Sequence, residues 1–264
     1  MKIKNLIIFC TIILTVFISN QLLQKQSVKN NEKAQSALIV GIAAGYAPFI
    51  SINQQGDYEG FDIDVIKKLA QTIDKKLILK DLGSMTSLLM ALEQGSIDAI
   101  IWGMSITQER LAKVAMVHYQ GKNLKSYPLI FWKQIPAGVT KIEDMTDLMI
   151  CFEPTSAQDT VLQKYPNLKL LPTEKIDDAL FNIQYKKTVA ALVEPAIAKK
   201  FKAQFPEIVT IDVPLKEQDQ VQGCGIAIKK NNIDLIKEIE IGINKLKQNS
   251  FIAQAEITWG LADE

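Results

Sequence analysis

The chain has 264 residues, 48% of them hydrophobic, which is enough for one large domain or two modest ones around a sizeable core. Lys and Arg number 30 against 29 Asp and Glu, so the balance gives no electrostatic footing for nucleic acid. Three cysteines and one histidine are too few for a Cys/His zinc site or a histidine-dependent triad, so neither a metal nor a cofactor is expected.

The N-terminus comes first. Lys2 and Lys4 precede an apolar run from Leu6 to Ile18. A basic start and a short apolar stretch make an export signal, and the run is shorter than the ~20 residues of a spanning helix. Ser19-Asn20-Gln21 is a poor cleavage site, so residues 1–20 are either a signal or a short uncleaved anchor. Both place the body outside the cytoplasm. Cys10 lies too early in the run for lipid attachment. Residues 21–37, rich in Gln, Lys, Asn and Ser, carry no periodic apolar face and read as a tether.

From Leu38 onward strand and helix signals alternate. Leu38–Ile42 reads as a buried strand. Phe61, Val65, Ile66, Leu69 and Ile73 share one helical face, with Asp62 and Asp64 in the first turn, where carboxylates suit the helix dipole. Leu77–Leu79 and Ala99–Trp102 are strands, and Ser87–Gln94 is a helix stopped by Gly95. The theme repeats with strands at Leu148–Phe152, Leu168–Leu171 and Val189–Val193. Helices at Ser156–Lys164, Ile176–Tyr185 and around Phe201–Pro206 alternate with them. A strand at Gly225–Ile228 and helices at Ile233–Gln248 and Phe251–Trp259 close the chain. Two such α/β units predict two lobes, with a ligand cleft at the carboxyl ends of the strands. Cys151 and Cys224 are either one disulfide or two free thiols.

A few residues point to chemistry. The strand Ala99–Trp102 runs into Gly103, Met104 and Ser105, and Thr107 is placed to cap a helix with Arg110 at its third position. A cation there opposes the helix dipole. Either Arg110 is solvated, or it grips a docked carboxylate through two parallel hydrogen bonds with Ser105 beside it. Glu194 follows the apolar run Val189–Val193 and precedes Pro195, so it is either a helix-start carboxylate or a buried acid that needs a partner. Tyr46 and Trp102 are either core or the walls of a pocket suited to an aliphatic stem or a guanidinium. His118, just before the crossing between lobes, either lines the cleft and titrates near neutrality or belongs to the surface or a hinge, the favoured reading.

Four segments carry a resemblance: Gly45-Tyr46-Ala47-Pro48-Phe49, Gly60-Phe61-Asp62-Ile63-Asp64, Ala91-Leu92-Glu93-Gln94-Gly95-Ser96-Ile97-Asp98-Ala99 and Met104-Ser105-Ile106-Thr107-Gln108-Glu109-Arg110. In this order and spacing the chain resembles the amino-acid branch of the type II periplasmic binding proteins over Leu38–Gly260. The resemblance implies a two-lobed α/β fold with two hinge crossovers. Its lobe one is 38–123 plus 223–264 and its lobe two is 124–222, with hinge strands at Lys122–Tyr127 and Gln218–Cys224. It implies a monomer that binds a free L-amino acid and serves the membrane permease of an ABC importer.

Site roles follow from the same resemblance. Arg110 and Ser105 would take the α-carboxylate, with Ser156 opening a second-lobe helix beside them. Glu194 and the Gly103 carbonyl would take the α-ammonium, and Tyr46 and Trp102 the side chain. The chain departs from the family pattern at Ala43, where basic-amino-acid binders carry an acid, at Met85, where an aromatic is common, and at Thr155 and Ala157. Those departures blur side-chain choice, for which Glu153, Gln158, Asp57 and Glu59 are candidates and a polar or basic ligand, arginine first, is expected. The alternative from another class is a small dehydratase-type enzyme on the same scaffold.

Overall fold

The computed structural model describes residues 36–262. The stretch read as a signal or anchor, with Cys10, and all but the end of the tether lie outside them. The elements run from β1 (Ala37–Ile42) through a hairpin of β2 (Ser51–Ile52) and β3 (Tyr58–Glu59) to α1 (Phe61–Thr72). Then come β4 (Lys76–Asp81), α2 (Met85–Gln94), β5 (Ala99–Ile100), α3 (Gln108–Lys113) and β6 (Ala115–Leu124). β7 (Ser126–Trp132), β8 (Met149–Phe152), α4 (Ala157–Leu162), β9 (Lys169–Pro172), α5 (Ile176–Gln184), β10 (Ala190–Leu192), α6 (Pro195–Gln204) and β11 (Ile208–Pro214) follow. The chain ends with β12 (Val221–Ile228), α7 (Ile233–Gln248) and α8 (Phe251–Thr258).

Two five-stranded sheets result, ordered β4-β1-β5-β12-β6 and β11-β7-β10-β8-β9. In the first, β1 runs parallel to β4 and β5, and β12 is antiparallel to β5 and β6. In the second, β8 runs parallel to β9 and β10, and β7 is antiparallel to β10 and β11. Each sheet is the centre of one lobe of a mixed α/β fold. The chain leaves the first sheet at Leu124, enters the second at Ser126, and returns to the first at Val221 after β11 ends at Pro214.

Burial explains most of these elements. Val40, Ile42, Ile66, Leu69, Leu88, Ile226 and Ile239 are fully buried in the first lobe. Tyr127–Phe131 of β7 is buried on both faces, as an inner strand under helices should be. α1 meets α7 at Gly242, where a Cβ would lie 2.4 Å from Leu69 Cδ1 and 2.8 Å from Ile73 Cγ2. The glycine leaves room for those two side chains between the helices. Asp64 accepts a hydrogen bond from Trp259 Nε1 at 2.8 Å and ties α1 to the end of α8.

Several details differ from the sequence-based expectations. Apart from the hinge strand read at Lys122–Tyr127, the sequence predicts no strand where β6, β7 and β11 lie. β6 mixes polar and apolar residues, and β11 is an edge strand whose burial alternates. The helix at Ser156–Lys164 is shorter and starts at Ala157, with Ser156 as its cap. Cys151 in β8 and Cys224 in β12 are both free thiols and belong to different sheets. Burial pushes the Cys151 thiol up to about 11.

Candidate functional site

The site is assembled at the carboxyl ends of strands. β5 ends at Ile100, and the chain turns through Trp102, Gly103, Met104 and Ser105. Gly103 has φ +53, a left-handed conformation that favours glycine. Its N–H donates to Asp62 Oδ2 at 2.6 Å, and Tyr119 Oη donates to Asp62 Oδ1 at 2.7 Å. Asp62 is fully buried, so it is an anchor for this turn and not a solvated dipole partner of α1. Burial pushes its carboxyl up to about 7, against the two hydrogen bonds that favour the ionised form. The turn is also pinned to β12, through Ile106 N–H to Gly223 O at 2.8 Å and Gly225 N–H to Met104 O at 2.8 Å.

Thr107 caps α3, its Oγ1 accepting from Arg110 N–H at 3.2 Å. The Arg110 side chain does not point to solvent. Nη1 donates to Ser105 O at 2.9 Å, and Nη2 donates to Thr155 O of the second lobe at 3.0 Å. Burial holds the guanidinium below its usual pKa, while Tyr127, Glu194 and Glu153 act to raise it.

The second lobe contributes the loop after β8. Glu153 and Gln158 are buried, and Thr155 sits at φ +60. Ser156 Oγ caps α4 by accepting from Asp159 N–H at 3.1 Å. Glu194 follows β10 at the start of α6, with Pro195 next, yet its carboxylate makes no capping bond. It accepts instead from Ser105 Oγ at 2.6 Å, across the cleft. Burial raises the Glu194 carboxyl, opposed by Ser105 and Arg110. Ser105 to Glu194 and Arg110 to Thr155 therefore join the lobes at the pocket, and Thr160 to Glu109 and Lys199 to the Gly260 carbonyl join them outside it.

All seven residues singled out in the sequence, Tyr46, Trp102, Gly103, Ser105, Arg110, Ser156 and Glu194, line one small interlobe pocket. Tyr46 and Trp102 are both nearly buried, with ring centroids 4.9 Å apart and planes tilted by 48°. They pack on each other and face the pocket, so the core and pocket readings both describe them. Met85, at the start of α2, adds to the wall. Of the side-chain candidates, Glu153 and Gln158 line the pocket, and Asp57 and Glu59 do not. His118 lies elsewhere on β6, with Nε2 3.0 Å from Gly121 O and Nδ1 3.0 Å from Lys247 Nζ. A larger groove on the hinge side shares Ser105 and Glu194 but lacks Arg110 and the Tyr46–Trp102 pair.

Sequence reasoning missed the part played by Asp62. The signal was present in Gly60-Phe61-Asp62, because an acid flanked by fully buried Phe61 and Ile63 lies on the inner face of its helix.

The model of the bacterial extracellular solute-binding proteins, family 3, matches residues 38–262. The chain belongs to this family. A probable ABC transporter arginine-binding protein of Chlamydia trachomatis is 29% identical over 234 residues, covering 88% of this chain and 87% of that one. A probable histidine-binding protein of Campylobacter jejuni is 27% identical over 252 residues, 92% of this chain and 94% of that one. Among solved structures, a variant of ArgBP from T. maritima superposes with a TM-score of 0.76 at 25% identity, covering 88% of this chain and 99% of that one. Family 3 comprises solute-binding proteins, so the dehydratase alternative has nothing to support it. Among the described residues, no helix of this family 3 protein is long and apolar enough to cross a membrane.

Proposed function

We propose that the chain is the extracytoplasmic solute-binding component of an amino-acid ABC importer and closes its lobes around a free L-amino acid, arginine first. The observation that carries this reading is the pairing of charges at the lobe boundary. A guanidinium (Arg110) and a carboxylate (Glu194) face one pocket from opposite lobes, the complement of a zwitterion. The carboxylate would exchange its hydrogen bonds onto Arg110 and Ser105, and the ammonium onto Glu194 and the Gly103 carbonyl. Ser156 would border the carboxylate end. Each buried ligand charge then has a partner, without which burial costs several kcal/mol.

Closure would turn on the two crossings, near Lys125 and over residues 215–220, which are short and lie outside both sheets. The relatives named as arginine- and histidine-binding proteins support an amino-acid ligand. The basic and apolar start of the chain supports export, by a cleaved signal or as a tether. Micromolar affinity, about −8 kcal/mol, is within reach of two charge clamps and aromatic contact. A thermal-shift screen of the twenty amino acids tests this reading. A true ligand at a hundredfold excess over its Kd adds about 2.7 kcal/mol of stability. A screen without a single responder would overturn it.

A further inference from the structure

The pocket holds one cation and two carboxylates: Arg110, Glu153 and Glu194. The α-groups of an amino acid use two of them, the ligand carboxylate on Arg110 and the ligand ammonium on Glu194. Glu153 is left over. It stands at the end of β8, 6% exposed, and its Oε1 has no hydrogen-bond partner. Among the described residues no ion pair reaches it. The pocket wall holds one more buried polar atom without a partner, Trp102 Nε1. Buried polar groups in native proteins are nearly always satisfied, and an isolated buried carboxylate is among the costliest exceptions.

We propose that Glu153 is the counter-ion for a cationic ligand side chain and makes the site selective for cationic over neutral amino acids. This rests on the amino-acid reading of the pocket given above. A ligand of net charge +1 gives an ionised Glu153 its partner, whereas a neutral amino acid leaves Glu153 in its protonated form, buried and without a counter-charge. Trp102 offers a flat indole beside the acid, which suits a planar guanidinium.

The charges facing Glu153 are Arg110 from α3, Glu194 at the start of α6, and Glu174 after β9, with the phenol of Tyr46 across the pocket. Burial, against the pull of Arg110, pushes the Glu153 carboxyl up to about 8. At neutral pH the free protein therefore holds a proton there. A cation arriving beside it favours the carboxylate, and that proton passes to the buffer. Capture of a cationic amino acid is thus coupled to release of about one proton more at pH 7 than capture of a neutral one, because the ammonium pairing with Glu194 is common to both.

The test is titration calorimetry of the full exported chain with arginine and with glutamine, at pH 7 in two buffers of different ionisation enthalpy. Wild type and Glu153→Gln, which keeps shape and removes the charge, are compared. Arginine is expected to bind wild type with release of close to one proton more than glutamine, the ammonium pairing with Glu194 being common to both. Glu153→Gln is expected to weaken arginine about a hundredfold and to reduce the preference for arginine over glutamine by a comparable factor. Arginine bound by wild type without proton release beyond that of glutamine would overturn the inference, and that readout needs no variant to fold. So would a Glu153→Gln protein that keeps its arginine affinity, or a wild type that binds glutamine as tightly as arginine. If wild type binds no amino acid at all, the pocket reading itself falls, a result distinct from the others.

Discussion

Ser105 Oγ donates to Glu194 Oε1 at 2.6 Å, although 89 residues and a lobe boundary separate them. Each side chain is placed by its own strand end, Ser105 after β5 and Glu194 after β10. The bond forms only when both sheets present those ends to one cleft. It occupies the carboxylate proposed for the ligand ammonium, and so holds that group in position before a ligand arrives.

Removing either partner should therefore weaken amino-acid binding unequally. Glu194→Gln removes a charge partner and is expected to cost about 3 kcal/mol of binding. Ser105→Ala removes a neutral donor and is expected to cost about 1 kcal/mol. The two should be coupled, so the double variant loses less than the sum of the singles. A double-mutant cycle on the Kd measures this, and strict additivity would separate Ser105 from the ammonium site.

Arg110 spans two carbonyls on two lobes, Ser105 O and Thr155 O. That geometry needs the guanidinium fork, which a lysine ammonium lacks. Arg110→Lys is expected to weaken binding at least a hundredfold, about 3 kcal/mol. Calorimetry that returned the wild-type affinity would take Arg110 out of the site.

Asp62 gives a pH dependence whose sign is fixed by burial. Its carboxyl is raised from 3.8 to about 7 in the folded chain. Between those values the folded state keeps a proton that the unfolded state has lost. The stabilisation is complete below about pH 4, declines as pH rises toward 7, and is gone above it. Asp62→Asn keeps an acceptor for Gly103 N–H and does not titrate. Urea unfolding from pH 4 to 8 should show a shallower decline for Asp62→Asn than for wild type. Parallel profiles would mean that Asp62 does not carry the proton.

The two-lobed α/β order was legible because its inner strands, such as Leu38–Ile42 and Val189–Val193, are continuous apolar runs bounded by turn residues. β6 was not. It pairs along the boundary of the first sheet with His118, Gln120 and Lys122 among its residues, and no local pattern sets them apart from a loop. Arg110 and Glu194, the proposed clamp, stood out where local chemistry conflicted with local structure: Arg110 near a helix start, and Glu194 at the end of a buried strand. The Ser105–Glu194 bond was not legible, since nothing local brings those strand ends together. Glu153 and Asp57 looked equivalent in the sequence. Only the sheet topology places Glu153 at the pocket and leaves Asp57 at the β2–β3 hairpin.

Thr155 shows backbone strain held by the site. It is exposed at φ +60, a left-handed conformation that costs an L-residue roughly 1–2 kcal/mol. Three contacts hold it there. Its N–H donates to Asp159 Oδ2 at 2.9 Å, its Oγ1 donates to Pro154 O at 2.6 Å, and its carbonyl accepts from Arg110. A glycine keeps both backbone contacts and relieves the strain, at the expense of more freedom in the unfolded chain, about 0.5–1 kcal/mol. Thr155→Gly should therefore raise stability by roughly 0.5–1 kcal/mol, seen as a higher urea midpoint with an unchanged m-value. Arg110 keeps its acceptor, so ligand affinity should stay within threefold. A lower midpoint would show that the Thr155 hydroxyl contributes more than the strained backbone takes away.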